Sequence, residues 1–226
     1  MATTKNSVIE IKRIEFAYQP VTIVGTTPLI VNAWSHKAKQ EMLDKQRGKK
    51  TSAKHDIKIP VNDFMESLYW LTEKPALGKT DEEAEENWFA AIEKGAKFGF
   101  PVTGIKQSII NGAYWAGLDV EKTKMRGTFF LEGGTDASTP DIAEIVGPLP
   151  EMREDMVKLR GTTSDIRHRP EFKQWEIPMM LKYNVNGIYS LEQILNFINY
   201  GGFACGIGEW RPQKDGQFGM YELKTS

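Results

Sequence analysis

Cysteine is almost missing from this 226-residue chain, Cys205 being the single one. One thiol cannot close an internal disulfide, so the fold has to be held by its own core, and a reducing compartment suits it. Histidine is scarce as well: only His36, His55 and His168 occur. There is no HExxH, no CxxC pair, no Walker loop and no GxSxG, so the metalloprotease, zinc-ribbon, phosphate-loop and hydrolase chemistries lose their usual signatures. Neither a metal nor an organic cofactor is expected. No apolar run has the length of a membrane span, and the opening MATTKNS lacks the apolar stretch of a signal segment. The expectation is a soluble, intracellular protein with no membrane contact.

Net charge is small too, −1 overall, so nothing draws the whole molecule toward a polyanion. Any such binding has to come from a local patch. Hydrophobic residues at 40% and charged residues at 26% are values of an ordinary globular chain long enough to bury a core.

Along the chain, the residues 8–31 are rich in β-branched side chains and broken at Gln19-Pro20 and Gly25-Thr26-Thr27-Pro28. This reads as one long or two short strands and a turn. Trp34, Ala38 and Met42 recur at helical spacing and predict a helix over Ala33 to Gln46. The next stretch changes character. Between Ser35 and Lys58 eight Lys or Arg residues face three acids, and Lys45, Arg47, Lys49, Lys50 and Lys54 fall in an apolar-poor loop suited to phosphate contacts.

A helix is expected from Val61 to Leu71 after Pro60, with Phe64, Leu68 and Leu71 on one side. Seven acids against three lysines between Thr72 and Lys94 then make an acidic helix, Asp81 to Glu93, carrying Trp88, Phe89 and Ile92. A basic loop and an acidic helix in a near-neutral chain suggest two surfaces, one for nucleic acid and one for the basic face of a neighbouring copy. In Phe98 to Gly117, Thr103 is placed to cap a helix lined by Ile105, Ile109, Ala113 and Ala116, with Tyr114 and Trp115 read as core.

Thr128 to Glu132 and Asp141 to Val146 read as strands, and Glu151 to Arg160 shows no clear pattern. The GTTSDIRHRP stretch, Gly161 to Pro170, with Arg160 before it, reads as a loop. Its Arg167, His168 and Arg169 beside small hydroxyls suit phosphate oxygens, because a guanidinium fork matches two of them. Trp175, Ile177, Met179 and Leu181 alternate with polar or proline positions, the clearest half-buried strand of the chain, and Pro178 suits an edge or bulge. Ser190 with Gln193 forms a capping box before a helix carrying Leu191, Ile194, Leu195 and Ile198, with Gly201 and Gly202 as its stop.

The chain then runs through GIGEWRPQKDGQFG to a short strand-like segment, Phe218 to Leu223. Gly206, Gly208, Gly216 and Gly219 allow close backbone approach, and Arg211 and Lys214 sit in a polar turn beside Trp210. This glycine-rich stretch after an amphipathic helix resembles the glycine-rich loop of the RAMP superfamily of CRISPR RNA-binding proteins, and the segment around GIKQSIINGA resembles a phage-type relative of it. The likeness covers the residues from Trp175 onward well and the rest in outline.

The resemblance implies an α+β fold: a ferredoxin-like (RRM-like) βαββαβ core in a single domain, 1–226, with a helical lobe inserted at about 45–100. It implies a non-catalytic protein of a bacterial or phage-infected cytoplasm that binds single-stranded RNA, or else DNA, and assembles head to tail with copies of itself. The phosphate-binding candidates are then those named above, with Trp210 as a stacking platform and the glycines bringing backbone N–H groups close to the strand. The same superfamily implies an alternative, a metal-independent endoribonuclease using His36 as general acid or base with Lys37, Tyr18 and Lys39 as helpers, or else His55 with Asp56. A phage interaction or virion module without nucleic acid is the other alternative.

Overall fold

In the computed structural model the described residues are 13–48, 58–134, 141–159 and 163–225. In chain order they form β1 (Phe16–Gly25), β2 (Leu29–Ile30), α1 (His36–Gln46), α2 (Pro60–Glu66), β3 (Tyr69–Trp70), α3 (Asp81–Glu93), β4 (Phe98–Pro101), α4 (Val102–Trp115), α5 (Lys122–Arg126), β5 (Phe129–Gly133) and β6 (Ile142–Glu144). The second half adds β7 (Glu151–Leu159), β8 (Thr163–Phe172), β9 (Glu176–Asn184), α6 (Leu191–Tyr200) and β10 (Tyr221–Leu223). The architecture is α+β, with antiparallel pairing throughout. No helix among the described residues is long and apolar enough to cross a membrane.

The main sheet has the order β10-β1-β9-β5. Numbered along the chain, its strands lie 4-1-3-2, with α4 connecting the first to the second and α6 the third to the fourth. The alternation expected around Trp175 to Lys182 is what seats β9 at the centre: Ile177, Met179 and Leu181 are buried on one face together with Ile23, Phe129 and Tyr221. Ile105, Ile109, Ile194 and Ile198 of α4 and α6 cover that face. Burying each such side chain contributes roughly 1.5–3 kcal/mol, so this one layer outweighs any surface pairing in the molecule.

Two prolines sit in central strands of this sheet, where their missing N–H would ordinarily break a ladder. Both fall where the neighbouring strand has ended. Thr22 offers its carbonyl to the Lys224 N–H on the β10 side, so Pro20, two residues earlier, faces the same side beyond the last β10 pair. Glu176 exchanges hydrogen bonds with Val146, and Met180 is opposite Glu132 of β5; Pro178 faces the gap between them.

Elsewhere the sequence-based expectations need correcting. The residues expected to form an unpatterned stretch and a loop, 151–170, instead make the long hairpin β7–β8, paired from Glu151↔Glu171 to Leu159↔Thr163. Its charges hid the pattern because they answer one another: Arg153 Nε lies 2.8 Å from Asp155 Oδ1, Arg153 Nη1 3.6 Å from Glu171, and Arg167 Nε 3.4 Å from Asp165. The helix expected to run to Leu71 ends at Glu66, because Tyr69 and Trp70 pair with Gly99 and Phe98 and the Trp70 indole donates to the Met65 carbonyl at 2.8 Å. Edge-to-face contacts at 4.9 Å between centroids join Phe64 of α2 to Trp88 of α3 and Trp70 of β3 to Phe98 of β4, and Trp88 stacks on Phe98 at 5.8 Å, tying α3 to β4.

Thr103 is not the cap of α4, which starts at Val102 directly from β4 with Pro101 as its N-cap. Tyr114 and Trp115 are exposed rather than core, and Lys122 lies over the Tyr114 ring at 4.1 Å. In α6 the capping box is present, with Ser190 Oγ accepting from the Gln193 N–H at 3.2 Å and Gln193 Oε1 accepting from the Ser190 N–H at 2.9 Å. Gly201 and Gly202 do not stop the helical path. It widens into a π-turn, Gly201–Cys205, because α4 crosses so closely that a Cβ at Gly112 would stand 2.5 Å from Tyr200 O and Gly201 Cα.

Replacing Gly112 with Ala weighs two effects. Alanine favours an isolated helix over glycine by about 1 kcal/mol, whereas forcing a methyl into packed backbone costs about 1–3 kcal/mol or more. Gly112→Ala should therefore lower the midpoint of urea unfolding with little change in slope, despite its better helix propensity.

Candidate nucleic-acid groove

β2 pairs with β8 only at Leu29↔Phe172 and Ile30↔Glu171, and the Val31 N–H adds one bond to the Pro170 carbonyl at 3.1 Å. Beyond that point the edge of β8 is open. α1 and α2 stand opposite it, enclosing a groove of about 640 Å³ lined by Trp34, Ser35 and Lys45, by Lys58, Asp63 and Glu66, and by Asp165, Arg167, His168 and Arg169. Lys58 Nζ closes part of the edge by donating to the Ile166 carbonyl and to Asp165 Oδ1 at 3.1 Å. Since strand residues alternate direction, the backbone N–H and C=O of His168 face the same edge as those of Ile166 and Pro170.

A second, smaller groove of about 200 Å³ runs under the glycine loop between Gly206, Gly208, Arg211 and the first turns of α4, and Asn32 lines both. Glu209 stands at the junction: its carboxylate accepts from Asn32 Nδ2 at 3.3 Å and lies 3.8 Å from Arg169 Nη1. Arg169 is buried, 4% exposed, and His168 is buried beside it with Nε2 3.3 Å from Glu154. Arg169 Nε and His168 Nδ1 have no hydrogen-bond partner among the described residues. Buried polar atoms are nearly always satisfied, so a pair of orphans in side chains lining one groove marks a place where a ligand or solvent oxygen completes the set.

Most cations in the groove are matched. Lys58 lies near Asp63 and Asp165, Arg167 near Asp165, and Arg169 near Glu209. Burial pushes the Asp63 carboxyl above its ordinary value by more than Lys58 and His168 pull it down. Burial also acts upward on Asp165, but Lys58 and Arg167 outweigh it and hold that carboxyl below the ordinary value. Lys45 and Arg47 at the C-terminal end of α1 have no acid within ion-pair distance among the described residues, and neither has Lys214.

Of the residues chosen from sequence, the groove thus gathers Lys45, Arg167, His168 and Arg169, while Arg47 caps the C-terminal end of α1 and does not line it. Lys49, Lys50, Lys54, His55 and Arg160 lie outside the described residues. The glycine loop serves its own fold in large part. Gly206 N–H donates to Gly201 O, Gly216 N–H to Arg211 O, and Gly219 N–H to Pro28 O, while Gly208 lies so close to the Ile30 carbonyl that no Cβ fits. Arg211 is turned inward too, with Nη1 2.6 Å from Gly208 O and Nε 3.0 Å from Gln213 Oε1. Trp210, held at φ 51°, keeps its ring partly exposed, and Lys214 is exposed.

His36 is exposed at the start of α1, and its backbone N–H donates to Glu66. Tyr18 does not line the groove; it belongs to the face of the main sheet turned away from the helices. Cys205 is buried, and burial raises its thiol above the ordinary value, which keeps it from acting as a thiolate. Among the described residues no group of three or more His, Cys, Asp or Glu could hold a metal ion. Asn32, Lys58, Asp63 and Glu209 are site residues that sequence reasoning did not single out; Glu209 sits inside the glycine motif and Lys58 at the end of the basic run. No protein-family model and no curated protein matches the chain.

Two outcomes follow from this geometry. An acid with a raised folded pKa binds its proton more tightly in the native state, so its contribution to stability falls as pH rises from the ordinary carboxylate value through the raised one. Urea unfolding over that window should show the decline in the wild type and a flatter profile in Asp63→Asn. Arg211→Ala should lose about 1–3 kcal/mol of unfolding free energy, because it removes two hydrogen bonds from a charged group, whereas Lys214→Ala should leave stability unchanged.

Proposed function

We propose that the chain binds single-stranded nucleic acid along this groove, without catalysis, on a ferredoxin-like module of the kind the RAMP resemblance implies. The strand order 4-1-3-2 with one helix after the first strand and one after the third supports that module. The observation that carries the binding reading is the pair of buried nitrogens without a hydrogen-bond partner, Arg169 Nε and His168 Nδ1, in side chains that line an open groove together with Lys45. A guanidinium and an imidazole already desolvated by the fold give a phosphate oxygen more than the same groups in water, because their hydration has been removed beforehand.

The near balance of charge in the groove sets the character of the binding. Attraction at long range is modest, and affinity depends on the few unmatched cations. Copies bound to one strand would follow one another head to tail, the acidic surface of α3 near the basic stretch of a neighbour. The place of action is the cytoplasm.

The test is binding of labelled single-stranded RNA, single-stranded DNA and duplex across a series of salt concentrations. Single strands should bind at low ionic strength, and the Lys45→Ala, Arg47→Ala double variant should flatten the slope of log K against log salt by about 0.7 for each cation removed. Wild-type protein that ignores every oligonucleotide at low salt overturns the reading.

A further inference from the structure

The face of the main sheet opposite the helices carries its own cluster. Phe16 and Tyr18 on β1 and Phe130 on β5 are 55%, 54% and 47% exposed, and no residue of the described core packs over them. The register lines them up: Tyr18 and Phe130 lie on either side of Lys182 of β9, and Phe16 is opposite Asn184. Lys182 Nζ stands 5.0 Å from the Phe16 ring centroid and 5.4 Å from that of Tyr18. Lys106 reaches round the β5 edge from α4 to lie 4.0 Å from the Phe130 ring, and burial lowers its pKa from the ordinary lysine value.

We infer that Phe16, Tyr18 and Phe130 form a stacking platform for unpaired nucleobases, with Lys182 and Lys106 meeting the phosphates between them. This deepens the nucleic-acid reading above and rests on it. Three exposed rings on a single small area are an expense in solubility that a solvated sheet face does not need, since polar side chains would serve there. A purely apolar protein partner would be opposed by the Lys182 ammonium set between the Phe16 and Tyr18 rings, which would have to be desolvated without an acid to meet it. A base offers a π-face to each ring and a phosphate to each lysine, and stacking of this kind is indifferent to sequence.

The spacing selects the single strand. Alternate residues of one strand stand roughly 6.8 Å apart and the outer two of three neighbouring strands roughly 9.6 Å apart. Bases within a duplex follow one another at about 3.4 Å along each strand and have both faces covered. Only a strand with its bases separated can put one on each ring. The charge on the face also gives the contact an end: Glu176 and Glu222 occupy the β10-paired half of the sheet, with Lys224 bound to Glu176 at 2.7 Å, and Glu132 stands between them and the rings, opposite Met180, so a backbone continuing in that direction would meet acids.

The experiment compares an oligouridylate with an abasic oligomer of the same phosphate count, on wild type and on the Phe16→Leu, Tyr18→Leu, Phe130→Leu triple variant. Leucine keeps the apolar surface and removes the rings, and an unchanged unfolding midpoint checks that the fold is intact. Wild type should prefer the oligouridylate by roughly 5- to 150-fold for each base stacked, the leucine variant should lose that preference while binding the abasic oligomer as before, and Tyr18→Trp should keep it. Photocrosslinking of a bromouridine oligomer should mark peptides containing Tyr18 or Phe130. Equal binding of both oligomers by wild type would overturn the platform and leave the groove reading standing; binding of neither would overturn both. A leucine variant that keeps its base preference but loses self-association in a size measurement would assign the face to contact between copies instead.

Discussion

The glycine loop holds the molecule together by backbone contact rather than by side chains. The Glu209 N–H reaches the Ile30 carbonyl at 2.9 Å and the Gly219 N–H the Pro28 carbonyl at 2.7 Å, while the Ile207 N–H closes the loop on Gly219 at 2.9 Å. These bonds clasp the turn between β1 and β2. β1 belongs to the main sheet and β2 to the β8–β7 hairpin, so a few peptide groups decide how the two sheets face each other. Gly208 and Gly219 are glycine for that reason: at φ 77° and 64°, with a carbonyl pressed against each Cα, no side chain can be accommodated.

The groove is a by-product of this clasp. Drawing the loop onto β2 places Glu209 against Asn32 and Arg169, and leaves the rest of the β8 edge free to face α1 and α2. The arginine is thereby buried with an acid for company and one donor unanswered. A buried ion pair of this type contributes little net stability, because desolvation offsets most of the attraction. Its persistence is better understood as orientation of the guanidinium than as a strut.

What the sequence made legible were the segments whose burial follows a simple period. β9, with apolar residues at every second position, and α6, with its capping box, lie where the pattern puts them. The β7–β8 hairpin was illegible because one face carries Arg153, Asp155, Asp165, Arg167 and Glu171, which pair along and between the strands, while the apolar residues of the other face, Met152, Met156 and Ile166, stay exposed, so no buried period marks either strand. Tyr114 and Trp115 misled for the converse reason, being large apolar residues that the end of α4 carries out of the core. The groove was half visible: Lys45, Arg167, His168 and Arg169 could be picked by chemistry, but Asn32 and Glu209 are separated from them by long stretches of chain and meet them only through the clasp.

Pro20 has a bearing on how copies of the chain can meet. Along the stretch of β1 that β10 does not cover, a strand from another molecule would find no N–H at Pro20 to meet its carbonyl, in the middle of the available register. Growth into a continuous sheet by edge addition is blocked at that border, so an array of these molecules would owe its order to the polymer they share or to side-chain contacts, and would come apart as separate folded units when those are withdrawn.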